Sequence, residues 1–166
     1  MAQLQAQHFA TLMSTLEFGL LHSDGVVAQS ALEGLAGLAR FQLEQRRAGG
    51  DGLGQHAMAG GRSVAAHFLE VLLRRLLLDD TPLDLTELAG DALLPLTLLE
   101  GGSFQGVCAA VAAQQEPRTR AAVVASLGQF QAAVGGVADN SRPSRRLFRE
   151  SLCAMVANVR GLIRTR

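Results

Sequence analysis

Leu147-Phe-Arg-Glu-Ser-Leu-Cys-Ala-Met-Val-Ala-Asn-Val-Arg-Gly-Leu-Ile163 is the stretch on which the reading of the fold turns. Its apolar residues Leu147, Phe148, Leu152, Met155, Val156, Val159 and Ile163 recur at intervals of three and four, never at two. That is the spacing of one face of an α-helix, whereas a half-buried strand would alternate. The pattern predicts a closing helix over 144–165, beginning near Ser144.

Working back through the chain, the same period returns six times. Val123, Leu127, Phe130 and Val134 mark a helix with Pro117 in its first turn and Gly135-Gly136 at its end. Phe104, Val107, Cys108 and Val111 mark a short one, for which Ser103 is a candidate N-cap. Leu88, Ala92, Leu96 and Leu99 belong to a helix starting near Leu85, and Pro95 inside it removes a backbone donor, so a kink or a split is expected there. Val64, Phe68, Val71, Leu72 and Leu76 lie on a helix from about Arg62 to Leu78. Val27, Ala31, Leu35, Leu38 and Phe41 form a stripe behind Asp24, a candidate N-cap, and that helix ends at Arg46-Arg47, where cations suit the helix dipole. Phe9, Leu12, Met13, Leu16 and Leu20 make the first stripe.

Composition agrees. Tyr and Trp are absent and Ile163 is the only isoleucine, while Ala and Leu dominate; those are helix-forming choices. The expected fold class is all-α: antiparallel helical hairpins stacked as a HEAT/armadillo-like α-solenoid of about seven helices. The expected layout is one segment over 1–166, with pairs over about 3–46, 62–100 and 103–136, the closing helix 144–165, and a flexible linker at 48–61. Each unit of roughly 40 to 50 residues has the length of a HEAT or armadillo repeat. A bundle of helices gives the same periodicity.

Fifteen basic and fifteen acidic side chains leave no net charge, so the basic excess of a phosphate-binding protein is missing and no nucleic-acid partner is expected. Every basic residue other than histidine is Arg, as a GC-rich gene or a need for guanidinium forks would produce. Residues 1–10 lack an apolar secretory core, and Val71 to Leu78 is interrupted by Arg74-Arg75 and is short of the roughly 20 residues a membrane span needs. A soluble intracellular protein without membrane insertion is expected. The two thiols, Cys108 and Cys153, fit small-residue packing in a reducing compartment.

No catalytic, metal or cofactor site emerges. His8, His22, His56 and His67 have no second ligand at helical i+4 spacing, and His67 with Glu70 at i+3 is a lone pair. Asp79, Asp80 and Asp84 lack the glycine and glutamate of a calcium loop. Six glycines within 48–61 do not make a phosphate loop, because no strand precedes them and no Gly-Lys-Ser/Thr follows. No serine sits in a nucleophile elbow. Cys108 stands in an apolar helical setting that favours the neutral thiol. The chain is therefore expected not to be an enzyme. One charged group stands out: Arg142, Arg145, Arg146 and Arg149 crowd the start of the last helix, where cations oppose the dipole. Either it is a solvated helix start, or it is a patch for an acidic partner.

Three segments carry a resemblance. Ser14-Thr-Leu-Glu-Phe-Gly-Leu20 with Val27-Ala-Gln-Ser-Ala-Leu-Glu-Gly-Leu-Ala-Gly-Leu-Ala39, then His67-Phe-Leu-Glu-Val-Leu-Leu73 with Leu85-Thr-Glu-Leu-Ala-Gly-Asp-Ala-Leu-Leu-Pro-Leu96, and the closing run quoted above resemble, in order and spacing, the C-terminal end of an exportin of the importin-β-like karyopherin family. The resemblance implies a HEAT solenoid many times longer than these 166 residues. It implies a nuclear export receptor that shuttles between nucleus and cytoplasm and carries protein cargo through the nuclear pore under Ran-GTP control. Its partners would be protein cargo, nuclear pore proteins and Ran-GTP, the last bound mainly by upstream repeats, so no functional residue carries over. A free-standing helical scaffold remains the other reading. If the segment belongs to a longer stack, its first helix pair is expected to expose an apolar flank.

Overall fold

The computed structural model describes residues 2–58 and 60–164. It contains seven α-helices among them: α1 (Ala2–Leu21), α2 (Gly25–Arg47), α3 (Val64–Leu78), α4 (Leu83–Leu99), α5 (Gly101–Ala113), α6 (Pro117–Val134) and α7 (Arg142–Arg164). The described residues hold no β-strand, only one isolated bridge between Ala57 and Ser63. Met1, Ala59 of the expected linker and Thr165 at the end of the expected closing helix lie outside the described residues.

Local chemistry sets the helix ends. The Asp24 carboxylate accepts hydrogen bonds from the Val26 and Val27 N–H groups at 2.8 and 3.3 Å, so the N-cap expected there is present. Ser63 does the same for α3, accepting from Ala66 N–H at 3.0 Å. Pro117 occupies the first turn of α6, where its missing donor costs nothing. Helix α5 begins at Gly101 rather than behind a Ser103 cap. The Ser103 N–H itself donates to the Glu100 carbonyl, so Ser103 is already inside the first turn. Helix α7 begins at Arg142, two residues before Ser144, because Ser141 sits at the capping position and its carbonyl accepts from Arg145 N–H at 2.9 Å.

The core centres on α3 and α4. Phe68, Leu69, Leu72, Leu73, Leu76 and Leu77 of α3 are all at most 1% exposed, and Ala89, Ala92, Leu93 and Leu94 of α4 match them. Burying each leucine stabilises the fold by about 1.5–3 kcal/mol relative to leaving it in water. That packing explains why Pro95 does not split α4: one missing donor is offset by ten buried residues along one continuous helix. Helix α1 packs beside α3 and α3 beside α5, while α2 packs beside α4 and α4 beside α7, giving two rows of stacked helices. The chain turns sharply between rows at Glu100, where α4 and α5 meet at 115°.

Helices α5 and α6, read as a pair over 103–136, pack against each other, and α6 also packs against α7. Helix α7 takes the place beside α4, and α6 covers the outer side of α7. Phe104, Phe130 and Phe148 join the three, with ring centroids 5.2 Å apart between the first two and 5.5 Å between the last two. The reason is that α7 carries buried side chains from Phe148 to Val159 and needs cover on two sides. Part of the loop after α2 is tied back to that helix. The Gln42 side chain, 8% exposed, donates to the Asp51 carbonyl at 3.0 Å and accepts from Leu53 N–H, pinning a short 3-10 turn over Gly52–Gln55. Gly52 has φ of +49°, and a Cβ there would collide with the Gln42 amide oxygen, so only glycine fits.

Candidate functional site

Two surfaces stand out. The first is the cleft between α4 and the start of α7, a hollow of about 600 Å³ into which all four arginines named above project, together with Glu87, Asp91 and Glu150. The four do not act alike. The Arg149 guanidinium pairs with the Asp91 carboxylate at 3.1 and 3.4 Å, and its stem lies over Gly90, where a Cβ would come within 3.4 Å of it. Arg149 is therefore a strut between α7 and α4. Arg146 pairs with Glu150 at 2.8 Å one turn on, and that hydrogen bond and charge hold its pKa above the ordinary arginine value. Arg142 and Arg145 have no side-chain partner among the described residues. Two of the four cations are thus spent within the chain, and two remain at a helix N-terminus where the dipole disfavours them.

Just before them, Asp139 accepts from the Ser144 hydroxyl at 2.6 Å and from the Ser141 N–H at 3.1 Å. These bonds, the Ser144 hydroxyl first, pull its carboxyl down to about 2. Along the cleft toward α2, a second hollow of about 250 Å³ is walled by Gln29, Asp84, Glu87 and Leu88, and it shares Glu87, Asp91 and Arg149 with the first.

The second surface is the outer flank of α1 and α2. Leu12, Phe18, Leu21, Val26 and Phe41 are each half or more exposed there, and Val27 is 38% exposed. The exposed residues of α1 described here, from Gln7 to Leu21, include no Asp, Glu, Lys or Arg. A hollow of about 400 Å³ runs between the two helices over Leu12, Leu16, Gly19, Val27, Ala31 and Leu38. Gly19 lets the helices cross closely, since a Cβ there would lie 2.9 Å from the Ala31 Cβ. The α2 stripe read from the sequence, Val27 through Phe41, mostly faces this way. The core takes the adjoining positions Ala28, Leu32, Leu35, Ala36, Ala39 and Leu43, so α2 is apolar on two sides and only Leu35 is common to both sets.

The remaining chemistry is structural. His67 Nε2 meets the Glu17 carboxylate at 2.9 Å and ties α3 to α1, a contact between residues fifty apart that no local spacing signals. Arg160 donates to the Leu76 and Thr81 carbonyls at 2.7 and 2.8 Å, closing the end of α3 and the turn after it; burial lowers its pKa. Glu70, held between Arg74 and Arg62, has its pKa lowered by those hydrogen bonds. Burial pushes the Cys108 thiol up to about 12, and burial followed by the Glu87 charge raises that of Cys153, so neither is poised as a nucleophile. Among the described residues no three His, Cys, Asp or Glu side chains gather as a metal ion requires. The hollow beneath the glycine loop, bounded by Gln42, Arg46, Phe68 and Leu99, holds only about 40 Å³, far below the several hundred Å³ of a ligand pocket. No single described helix is long and apolar enough to cross a membrane; α4 and α5 reach that composition only as a bent pair.

The chain matches no protein-family model, no curated protein and no solved structure.

Proposed function

We propose that this chain is a non-catalytic protein-interaction scaffold, the closing segment of a longer helical solenoid. The observation that carries this reading is the α1–α2 flank: an apolar face, with no charge among the exposed residues of α1 from Gln7 to Leu21, on one end of two helical rows, against a charged, solvated face on the other. Solenoids need a polar outer face on their terminal repeat, and an internal repeat presents an apolar side to each neighbour. Helices α6 and α7 fit the first description, and the α1–α2 flank fits the second.

The role within that architecture comes from the resemblance of the three quoted segments to exportin-4. In this reading the chain closes an exportin-4-like nuclear export receptor of the importin-β-like karyopherins. The receptor wraps protein cargo, shuttles between nucleus and cytoplasm through the pore, and answers to Ran-GTP through repeats upstream of this segment. A solenoid flexes because its contacts are between neighbours, so Ran binding elsewhere would change the curvature this segment presents to cargo. The test is a pull-down with Ran loaded with GTP or GDP. The 166-residue chain alone is expected to retain neither form, and the chain joined to its upstream repeats to retain the GTP form. GTP-dependent capture by the chain alone would contradict the placement of the Ran contacts, and no capture by the longer protein would remove the export role.

A further inference from the structure

Beyond the scaffold reading, the α4–α7 cleft has a charge order of its own. Its two hollows share Glu87, Asp91 and Arg149, and the Asp91–Arg149 pair forms the divide between them. On the α7 side stand Arg142 and Arg145, whose guanidinium groups meet no carboxylate among the described residues. On the α4 side stand Asp84 and Glu87, whose carboxylates meet no cation there. Positive and negative charges thus stand toward opposite ends of one trough, none of the four in an ion pair within the chain. Asp84 serves the first turn of α4, where it accepts from Leu85 N–H at 2.9 Å, but the fold gains nothing from the two arginines. Arginines in the first turn of α7 oppose its dipole, and shorter polar residues would cap that turn better.

We propose that this trough docks a protein segment of segregated mixed charge, its acidic residues over Arg142 and Arg145 and its basic residues over Asp84 and Glu87. A purely acidic segment or a nucleic-acid strand would meet Glu87 and Asp84 at one end. A segment with the two charges in blocks satisfies both ends at once, and the order of the unpaired charges on either side of the Asp91–Arg149 pair fixes its direction. Such recognition works through exposed charges, so its strength falls as salt rises.

The test uses the full chain and two labelled helical peptides of one composition, one with four glutamates followed by four lysines and one with the same residues alternating. Fluorescence anisotropy at low salt is expected to show the block peptide binding at least about tenfold more tightly, since several exposed ion pairs act together. Arg142→Glu with Arg145→Glu is expected to remove that preference, as is Asp84→Arg with Glu87→Arg. Arg118→Glu, an exposed and unpaired arginine on α6, leaves it unchanged, and circular dichroism of each variant confirms that the helices are retained. Equal binding of the two peptides overturns the proposal. So does a preference that survives both charge reversals, or tighter binding of an all-glutamate peptide or a single-stranded RNA than of the block peptide.

Discussion

The two ends of this helical stack are made of the same secondary structure and opposite surface chemistry. At the α6–α7 end, the apolar stripe of α7 is covered from Phe148 to Val159, and of the large apolar side chains on these two helices only Val124 and Leu147 are exposed. At the α1–α2 end, α2 is apolar on two sides, one buried in the core and the other only partly covered by α1. Helical amphipathicity has one purpose at the first end, which is to build the core. At the second it builds the core and also leaves a second face that water does not favour. The difference teaches that burial, rather than periodicity, separates a covered end from a partly uncovered one.

The largest expected contrast is in stability. Phe148→Ala removes a ring 1% exposed from the aromatic trio that joins α5, α6 and α7, and is expected to cost about 3–5 kcal/mol in urea unfolding. Phe18→Ala, at a ring 67% exposed on the flank, is expected to stay within about 0.5 kcal/mol. Equal losses at the two positions would mean that the flank is part of the packed core. Next in size is Gly52→Ala. It strains a left-handed residue and displaces the Gln42 amide, so about 1–3 kcal/mol and faster amide exchange at Leu53 are expected. A neutral outcome would mean that the Gln42 amide does not hold the turn at Gly52–Gln55.

The smallest effect is local and distinguishes the charged end by pH. The Asp139 carboxyl titrates lower in the folded chain than its ordinary value of 3.8, near 2, so its cap at the start of α7 is fully present above about pH 4. The contribution is lost as pH falls from about 4 to about 2. Amide exchange at Ser144 and Arg145 is expected to speed up over that window. Asp139→Asn is expected to flatten the response, and an unchanged profile in this variant would remove the carboxylate from the cap.

Much of the fold is legible in the sequence because long, regular stripes with clear breaks specify helices directly. The α7 stripe, the Asp24 cap and the first turn of α6 at Pro117 are all set by local chemistry. What was not legible depends on partners distant in sequence. Which apolar side of α2 faces α4 is decided by packing, since Val27 and Ala28 both belong to credible stripes. Gln42 reads as a surface residue until the loop folds over it. His67 finds Glu17, and Arg149 finds Asp91, across fifty or more residues. Of the arginine cluster, Arg146 with Glu150 is an i,i+4 pair that spacing alone offers, whereas the pairing of Arg149 with Asp91 depends on where α7 lands.

The most direct measurement of the difference between the ends is light scattering coupled to size-exclusion chromatography, over a range of concentrations, for the chain and for Leu12→Glu with Phe18→Glu. An uncovered apolar flank is expected to make the chain self-associate, its mean mass rising above 17.5 kDa with concentration, while the variant stays at 17.5 kDa throughout. A chain that remains at 17.5 kDa at every concentration would contradict the claim that the α1–α2 face is built to be covered.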